Sequence, residues 1–324
     1  MRVLELYCGI GGFAQATQGL TTTVAAIDQS AVALSVYAHN APSAPTLSWN
    51  LERVDASELA RLDADMWWLS PPCQPYTVRG RRRDIEDARA RSFVNLIRVL
   101  RTVQPRLLGL ENVVGFQSSQ ARQLLLEALS RSGYSIQERT LCPTELGVPN
   151  RRPRYYLFAA LDALLQPWET VLQDTFTGQT GTGGSPHQRH HGGRLCDYLD
   201  ATPSRDLIVD ASTVSRFHPG WDILDTRDPE ACATCFTSAY GKSLMHSGSY
   251  LREGDRIRRF SPAEILRLLH FPASFAFPDY VPLRKQWHLA GNSLSVAALR
   301  KVLRVIPELR NGESEPPFLK TPSS

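Results

Sequence analysis

Along the first 160 residues, short apolar runs alternate with stretches of helical period. Arg2 to Tyr7, Thr23 to Asp28, Met66 to Ser70 and Leu107 to Leu110 have the length and composition of strands, and Tyr134 to Leu141 and Tyr155 to Ala160 add two more. Between them, Phe93, Leu96, Ile97 and Leu100 recur at i, i+3, i+4 and i+7 before Pro105 stops the run, so one helical face can pack on a sheet. This alternation predicts an α/β domain with a doubly wound, mostly parallel sheet, whose ligands sit beyond the carboxyl ends of the strands.

The texture changes at about Gln166. Thr177 to Gly193 is rich in glycine, threonine and histidine and poor in apolar residues, a loop by composition. We therefore divide the chain into a main domain over 1–165, a small recognition region over 166–258, and a segment over 259–310 that returns to the main domain. Residues 311–324 form a polar tail expected to lack order. The returning segment opens with Ser261, Pro262 and Glu264, the signature of a capping box with proline in the first turn, and ends in a helix over about Leu294 to Ile306. We find no internal repeat.

Composition narrows the class. The 324 residues are 42% hydrophobic and 21% charged, an ordinary globular balance, and no run approaches the roughly 18 to 20 apolar residues of a membrane span. The chain starts directly on a strand pattern, without a cleavable leader, so we expect a soluble intracellular protein with no membrane partner. A net charge of +4 is compatible with an anionic partner but does not establish one. Cysteines 8, 73, 142, 196, 232 and 235 lack the density of a disulfide scaffold and are read as thiols.

Chemistry concentrates at the ends of the strand candidates. Tyr7-Cys8-Gly9-Ile10-Gly11-Gly12 follows the first strand, where glycines let backbone approach a ligand. Asp28 ends the second strand in position to accept bonds from a ribose diol, and Asp55 is expected to end a third beside an adenine edge. Cys73 lies just past Met66-Trp67-Trp68-Leu69 in a loop stiffened by Pro71, Pro72 and Pro75, aimed at the ligand crevice. Glu111 ends the next strand, and an acid so far down an apolar run is costly without a task or a partner. Arg152 and Arg154 fall on one side of an extended segment, suited to phosphate or base edges. Arg79, Arg81, Arg82 and Arg83 set positive charge close behind Cys73, where it attracts phosphate and favours thiolate. Cys232 and Cys235 have no second pair at metal spacing, and His187, His190 and His191 lie in the polar loop, so no metal site is expected.

Taken in order, the glycine turn, Pro71-Pro72-Cys73-Gln74, Glu111-Asn112-Val113, the Arg152 and Arg154 segment and Gly291-Asn292-Ser293-Leu294 resemble the motifs of the cytosine-5 methyltransferase family over almost the whole chain. Within it the sequence is most similar to the tRNA-methylating branch historically grouped with DNA methyltransferases, the tRNA-aspartate cytosine-5 methyltransferases. Cys235-Phe236-Thr237, Pro72 to Thr77, Val148-Pro149-Asn150 and a short span between the arginine and final motifs carry that likeness. Ser238 stands where a lysine commonly follows Cys-Phe-Thr, and Cys8 where serine or alanine is commoner.

The resemblance implies a class I fold that binds S-adenosylmethionine through Tyr7, Gly9, Ile10, Gly11, Gly12, Asp28, Gln29, Asp55, Ala56, Pro72, Asn292 and Ser293. It implies catalysis by Cys73 as nucleophile, Glu111 as acid, and Arg152 and Arg154 holding the base and the thiol loop. Arg79, Arg81, Arg82, Arg83, Cys235, Phe236, Thr237 and Tyr240 are then expected to contact substrate. The implied partner is tRNA at cytosine 38 of the anticodon loop, with DNA as a weaker one, for a monomer in the cytoplasm, or also the nucleus in a eukaryote. A DNA cytosine-5 methyltransferase is the alternative activity. A nucleic-acid binder without turnover is disfavoured because it has no use for Cys73, Glu111 and Arg154 together.

Overall fold

The computed structural model describes residues 1–76, 84–161, 165–173 and 193–310. Arg79, Arg81, Arg82, Arg83, Thr77, the three histidines of the polar loop and the tail from 311 lie outside the described residues.

In chain order the first part comprises β1 (Arg2–Leu6), α1 (Gly12–Ala16), β2 (Thr22–Ile27), α2 (Ala31–Asn40), β3 (Thr46–Leu47), α3 (Ala56–Ala60) and β4 (Met66–Leu69). It continues with α4 (Arg91–Val103), β5 (Leu107–Val113), α5 (Gln120–Arg131), β6 (Ser135–Leu141), β7 (Asn150–Arg151), β8 (Arg154–Ala160) and α6 (Trp168–Gln173). The main sheet has the order β3-β2-β1-β4-β5-β8-β6. Strands β3 to β5 run parallel, and β8 lies antiparallel to both of its neighbours. The mostly parallel α/β sheet expected from the alternation forms, and its order reverses between β1 and β4. There the turn after β1 and the loop after β4 open onto one crevice.

The sheet is buried on both faces, which is why Met66-Trp67-Trp68-Leu69 is apolar without alternation. Trp68, Tyr156 and Phe158 face one core with α1, whereas Trp67, Leu110, Tyr155 and Leu157 face the other with α4 and α5. Gly109 makes room for this packing, since a Cβ there would lie 2.6 Å from the Trp68 ring. β5 is longer than Leu107 to Leu110, because pairing with β8 carries it through Glu111 and Asn112 to Val113. One expectation fails: Asp55 does not end a strand. β3 stops at Leu47, and Asp55 caps α3 in a capping box with Glu58.

The later elements are α7 (Ala211–Phe217), β9 (Ile223–Asp225), β10 (Ala233–Thr234), β11 (Tyr250–Glu253), β12 (Arg256–Arg259), α8 (Pro262–Leu268), α9 (Leu283–Asn292) and α10 (Val296–Leu303). β12, β11 and β9 form a small sheet, while β10 pairs with β7. The Ser261 capping box forms at the head of α8. α10 packs on α1, whose last carbonyls accept from Arg300: Gln15 O at 3.0 Å and Ala16 O at 3.4 Å. Among the described residues no helix is long and apolar enough to cross a membrane.

Candidate active site

Cys73 sits on a loop fixed at both ends. Its carbonyl accepts from Tyr76 N at 2.9 Å, closing a tight turn. Upstream, the Pro71 carbonyl accepts from Asn112 Nδ2 at 3.1 Å, which ties the loop to the end of β5. Tyr76 packs edge-on against Phe116 with centroids 5.0 Å apart. Gly115 lets that loop come close, because a Cβ there would stand 2.3 Å from Tyr76 O. Asn112 is the residue whose role the sequence hid, although its place after Glu111 in a strand-end motif was the available signal.

Glu111 and Arg154 meet across the antiparallel pair of β5 and β8. Register places Val113 opposite Arg154 and Glu111 opposite Tyr156, so both side chains rise from one face near the strand ends. Arg154 Nε lies 3.1 Å from Glu111 Oε1, with the two side chains 13% and 12% exposed. Burial raises the Glu111 carboxyl above its usual range, and Arg154 opposes only part of that rise. Burial likewise raises the Cys73 thiol, with Arg154 pulling it back and Glu111 pushing it up. Burial thus biases both groups toward their protonated forms, and the Arg154 guanidinium in contact with Glu111 opposes that bias in each.

Arg152 behaves differently from the expectation that it would hold the base or the thiol loop. It is 3% exposed. Its Nη1 donates to the Phe236 carbonyl at 2.8 Å and to Cys235 Sγ at 3.2 Å. Its Nη2 donates to the carbonyls of Gly291, at 3.1 Å, and of Ser293. Arg152 is therefore a clasp between the Cys235 segment and the end of α9, with both Nη groups engaged in holding them. Gly291 is required there, since a Cβ would lie 2.2 Å from Thr237 O. Cys235 Sγ also accepts from Arg154 Nη2 at 3.5 Å. Burial alone would raise the Cys235 thiol, but Arg152 and then Arg154 outweigh it and hold it below the ordinary thiol value.

Phe236 and Tyr240 were expected to touch substrate, and the structure places both in the core at 1% and 0% exposure. Their rings pack on each other, that of Phe236 also on Phe260, and Tyr240 OH donates to Ser249 O at 2.7 Å. The Thr237 hydroxyl accepts from Ala239 N at 3.3 Å, a local turn bond. This motif consequently builds a wall, and it meets the arginines through the Cys235 thiol and the Phe236 carbonyl rather than through its aromatic rings.

The turn after β1 has the shape of a ligand cradle. Gly9 and Gly11 adopt φ of 54° and 88°, conformations that glycine takes without strain. A Cβ on Gly12 would come within 2.8 Å of the Leu294 side chain, so the final motif closes directly on the turn. Asp28 accepts from Gly9 N at 3.0 Å and Ser30 N at 2.8 Å, one bond to each oxygen, so each carboxylate oxygen keeps accepting capacity. Tyr7 OH donates to Ser92 Oγ at 2.9 Å, and Gln29 Nε2 to Asn50 Oδ1 at 3.1 Å. The backbone at Ile10 is packed inward, Ala56 starts α3, Pro72 precedes the thiol, and Asn292 faces His288 at 3.3 Å. Asp55 takes both Glu58 N, at 2.9 Å, and the Ser57 hydroxyl, at 2.8 Å, on Oδ1. Among the described residues no group of three metal-ligating side chains is present.

A family model described as C-5 cytosine-specific DNA methylase matches residues 1–201. The chain belongs to this family. The methylase is 30% identical to a tRNA (cytosine(38)-C(5))-methyltransferase of Spodoptera frugiperda, over 95% of its own length and 99% of the relative's. It is 29% identical to the Homo sapiens protein of the same name, over 95% and 99% of the two chains. Its fold matches a crystal structure of the S. pombe Dnmt2 methyltransferase with a TM-score of 0.83 at 27% identity, covering 96% of this chain and 99% of that one. It is accordingly an enzyme of the cytosine-5 methyltransferase class, and the loop bearing Cys73 and the end of β5 bearing Glu111 both lie inside the matched region.

Proposed function

We propose that this methylase methylates carbon 5 of cytosine 38 in a tRNA anticodon loop, tRNA-Asp or one like it, using S-adenosylmethionine. The observation that carries the chemistry is the Arg154 to Glu111 contact of 3.1 Å beside a Cys73 loop tied to the neighbouring Asn112. The choice of tRNA is supported by relatives that carry that activity in their names and align end to end.

Carbon 5 of cytosine is a weak nucleophile, so a thiolate must first add to carbon 6. Cys73 loses its proton to water as the base arrives and forms the sulfur–carbon bond, pushing electrons toward ring nitrogen 3. Glu111, whose carboxyl burial shifts toward the protonated form, donates its proton to that nitrogen and stabilises the charge there. Arg154 fixes Glu111 and offers its remaining donors to the carbonyl oxygen of the base. S-adenosylmethionine, when bound, supplies the electrophilic methyl group, and the glycine turn with Asp28 has the open backbone and free lone pairs to hold it. Once carbon 5 carries the methyl group, loss of its proton to water expels Cys73 as thiolate, and the nitrogen 3 proton returns to Glu111. The target base must leave its stack to reach Cys73, which costs less in a loop than in a duplex.

The test is incubation with tritiated cofactor and either tRNA or duplex DNA, followed by bisulfite sequencing. We expect label in tRNA at one anticodon-loop cytosine, and a loss on the order of 10³-fold or more in Cys73→Ala. Label confined to DNA would refute the tRNA assignment, and an undiminished Cys73→Ala rate would refute the mechanism.

A further inference from the structure

Glu5 has no part in the chemistry above, yet it is a carboxyl with 0% exposure in the middle of β1. Such a group is costly to bury and needs a reason. Two hydroxyls, from α2 and β2, donate to its Oε1: that of Tyr37, and that of Thr23 at 3.0 Å. No ion pair of Glu5 is present among the described residues. Tyr37 is itself fully buried, and its ring lies against the glycine turn: a Cβ on Gly11 would stand 2.9 Å from Tyr37 Cδ2. Cys8, Ala26, Leu34 and Tyr37 form a small apolar cluster under the turn, and the bond to Glu5 fixes the hydroxyl end of that ring.

We infer that Glu5 is a positioning residue for the cofactor turn, acting through Tyr37, and that its proton couples cofactor affinity to pH. This rests on the reading of the glycine turn as the S-adenosylmethionine site. Glu5 orients the Tyr37 ring, the ring supports Gly11, and Gly11 and Gly9 present the backbone that meets the cofactor. Burial raises the Glu5 carboxyl to about 7, against the lowering effect of Tyr37 and Thr23. The other titratable neighbours are the Cys8 thiol, which burial, then Glu5 and Asp28, raise, and Tyr37, likewise raised. None of these supplies a positive charge. Below pH about 7 Glu5 is neutral and the turn is seated. Above it a buried carboxylate draws water into the cluster and loosens the ring. Affinity should therefore be level below neutrality and fall as pH rises through it.

The experiment is calorimetric binding of S-adenosylhomocysteine to the full chain from pH 6 to 8.5, for wild type, Glu5→Gln and Tyr37→Phe. Wild type should weaken by about tenfold across the upper half of the range, and Glu5→Gln by less than about twofold. Tyr37→Phe keeps the ring under Gly11 but removes a donor that favours the carboxylate, so its break should move to higher pH. A Glu5→Gln curve that tracks wild type at every pH overturns the inference. If Glu5→Gln does not fold, a Tyr37→Phe break at the wild-type pH overturns it instead. Absence of binding by wild type at any pH would overturn the cofactor-site reading itself, a distinct result.

Discussion

The loop of Cys73 and the segment of Cys235 present one thiol each to the same pair of guanidiniums, and the thiols are biased in opposite directions. Cys235 accepts directly from both, Arg152 at 3.2 Å and Arg154 at 3.5 Å, and is held below the ordinary thiol value. Cys73 has no such bond; burial dominates, and it is raised. Proximity to arginine is therefore not what marks the nucleophile. The thiol in direct contact is the one shifted toward ionisation, but its sulfur is engaged by two guanidiniums. The thiol that is free to attack stays neutral until a base is in place, which protects it from idle reaction.

The largest effect that would break this contrast is on Glu111. Glu111→Gln removes the proton donor but keeps the shape, and the rate should fall by about 10² to 10⁴-fold. The pH profile is the sharper readout. Active enzyme needs Cys73 ionised and Glu111 protonated. Because both are raised and the thiol starts higher, kcat/KM should climb one decade per pH unit below the Glu111 pKa and run flat up to that of Cys73. Above that it should fall. Glu111→Gln should lose the plateau and keep climbing until Cys73 is ionised. A plateau that survives in Glu111→Gln would remove Glu111 from the acid role.

Next in size is the division of labour between the arginines. Arg152→Lys cannot reproduce a fork that serves Cys235 and three carbonyls, and buried acceptors left unpaired should cost about 3 kcal/mol or more in urea denaturation. Arg154→Lys should cost less stability but lower kcat, since Arg154 is the residue in contact with Glu111. Equal losses of stability in the two variants would contradict the assignment of Arg152 as a clasp.

The sequence exposed this site unevenly, for a physical reason in each case. Cys73 was legible because it follows a buried apolar strand in a proline-stiffened loop, and Glu111 because it interrupts an apolar run near a strand end. The sheet was legible because its strands are buried on both faces. The Arg152 clasp was not, because its acceptors lie 84 and 139 residues away and are backbone atoms, which carry no mark in the side-chain code. Phe236 and Tyr240 were misplaced because an aromatic in a motif looks alike whether it faces a ligand or the core. Asp55 could have been read correctly: Glu58 three residues on completes a capping box, and that local signal outweighed the fold analogy. The Glu264 box was recognised, but not that its carboxylate, with 0% exposure, also takes both Nη groups of Arg258.

The smallest effect tests the comparison most directly, through stability rather than rate. Replacing either cysteine by serine removes a titrating group, so the stability difference from wild type, followed against pH, isolates that group's linkage. Cys235 is depressed in the folded chain. Its contribution is present above the unfolded thiol value and lost as pH falls through the folded one, so the wild-type advantage over Cys235→Ser should grow with pH and then level near the ordinary thiol value. Cys73 is raised. Its contribution is present below the unfolded thiol value and lost as pH rises through the folded one, so the advantage over Cys73→Ser should be level first and shrink afterwards. Urea midpoints between pH 7 and 10 would give two curves of opposite slope on either side of the ordinary thiol value. Parallel curves would mean that the two thiols share one environment, and that contact with the guanidiniums does not distinguish them.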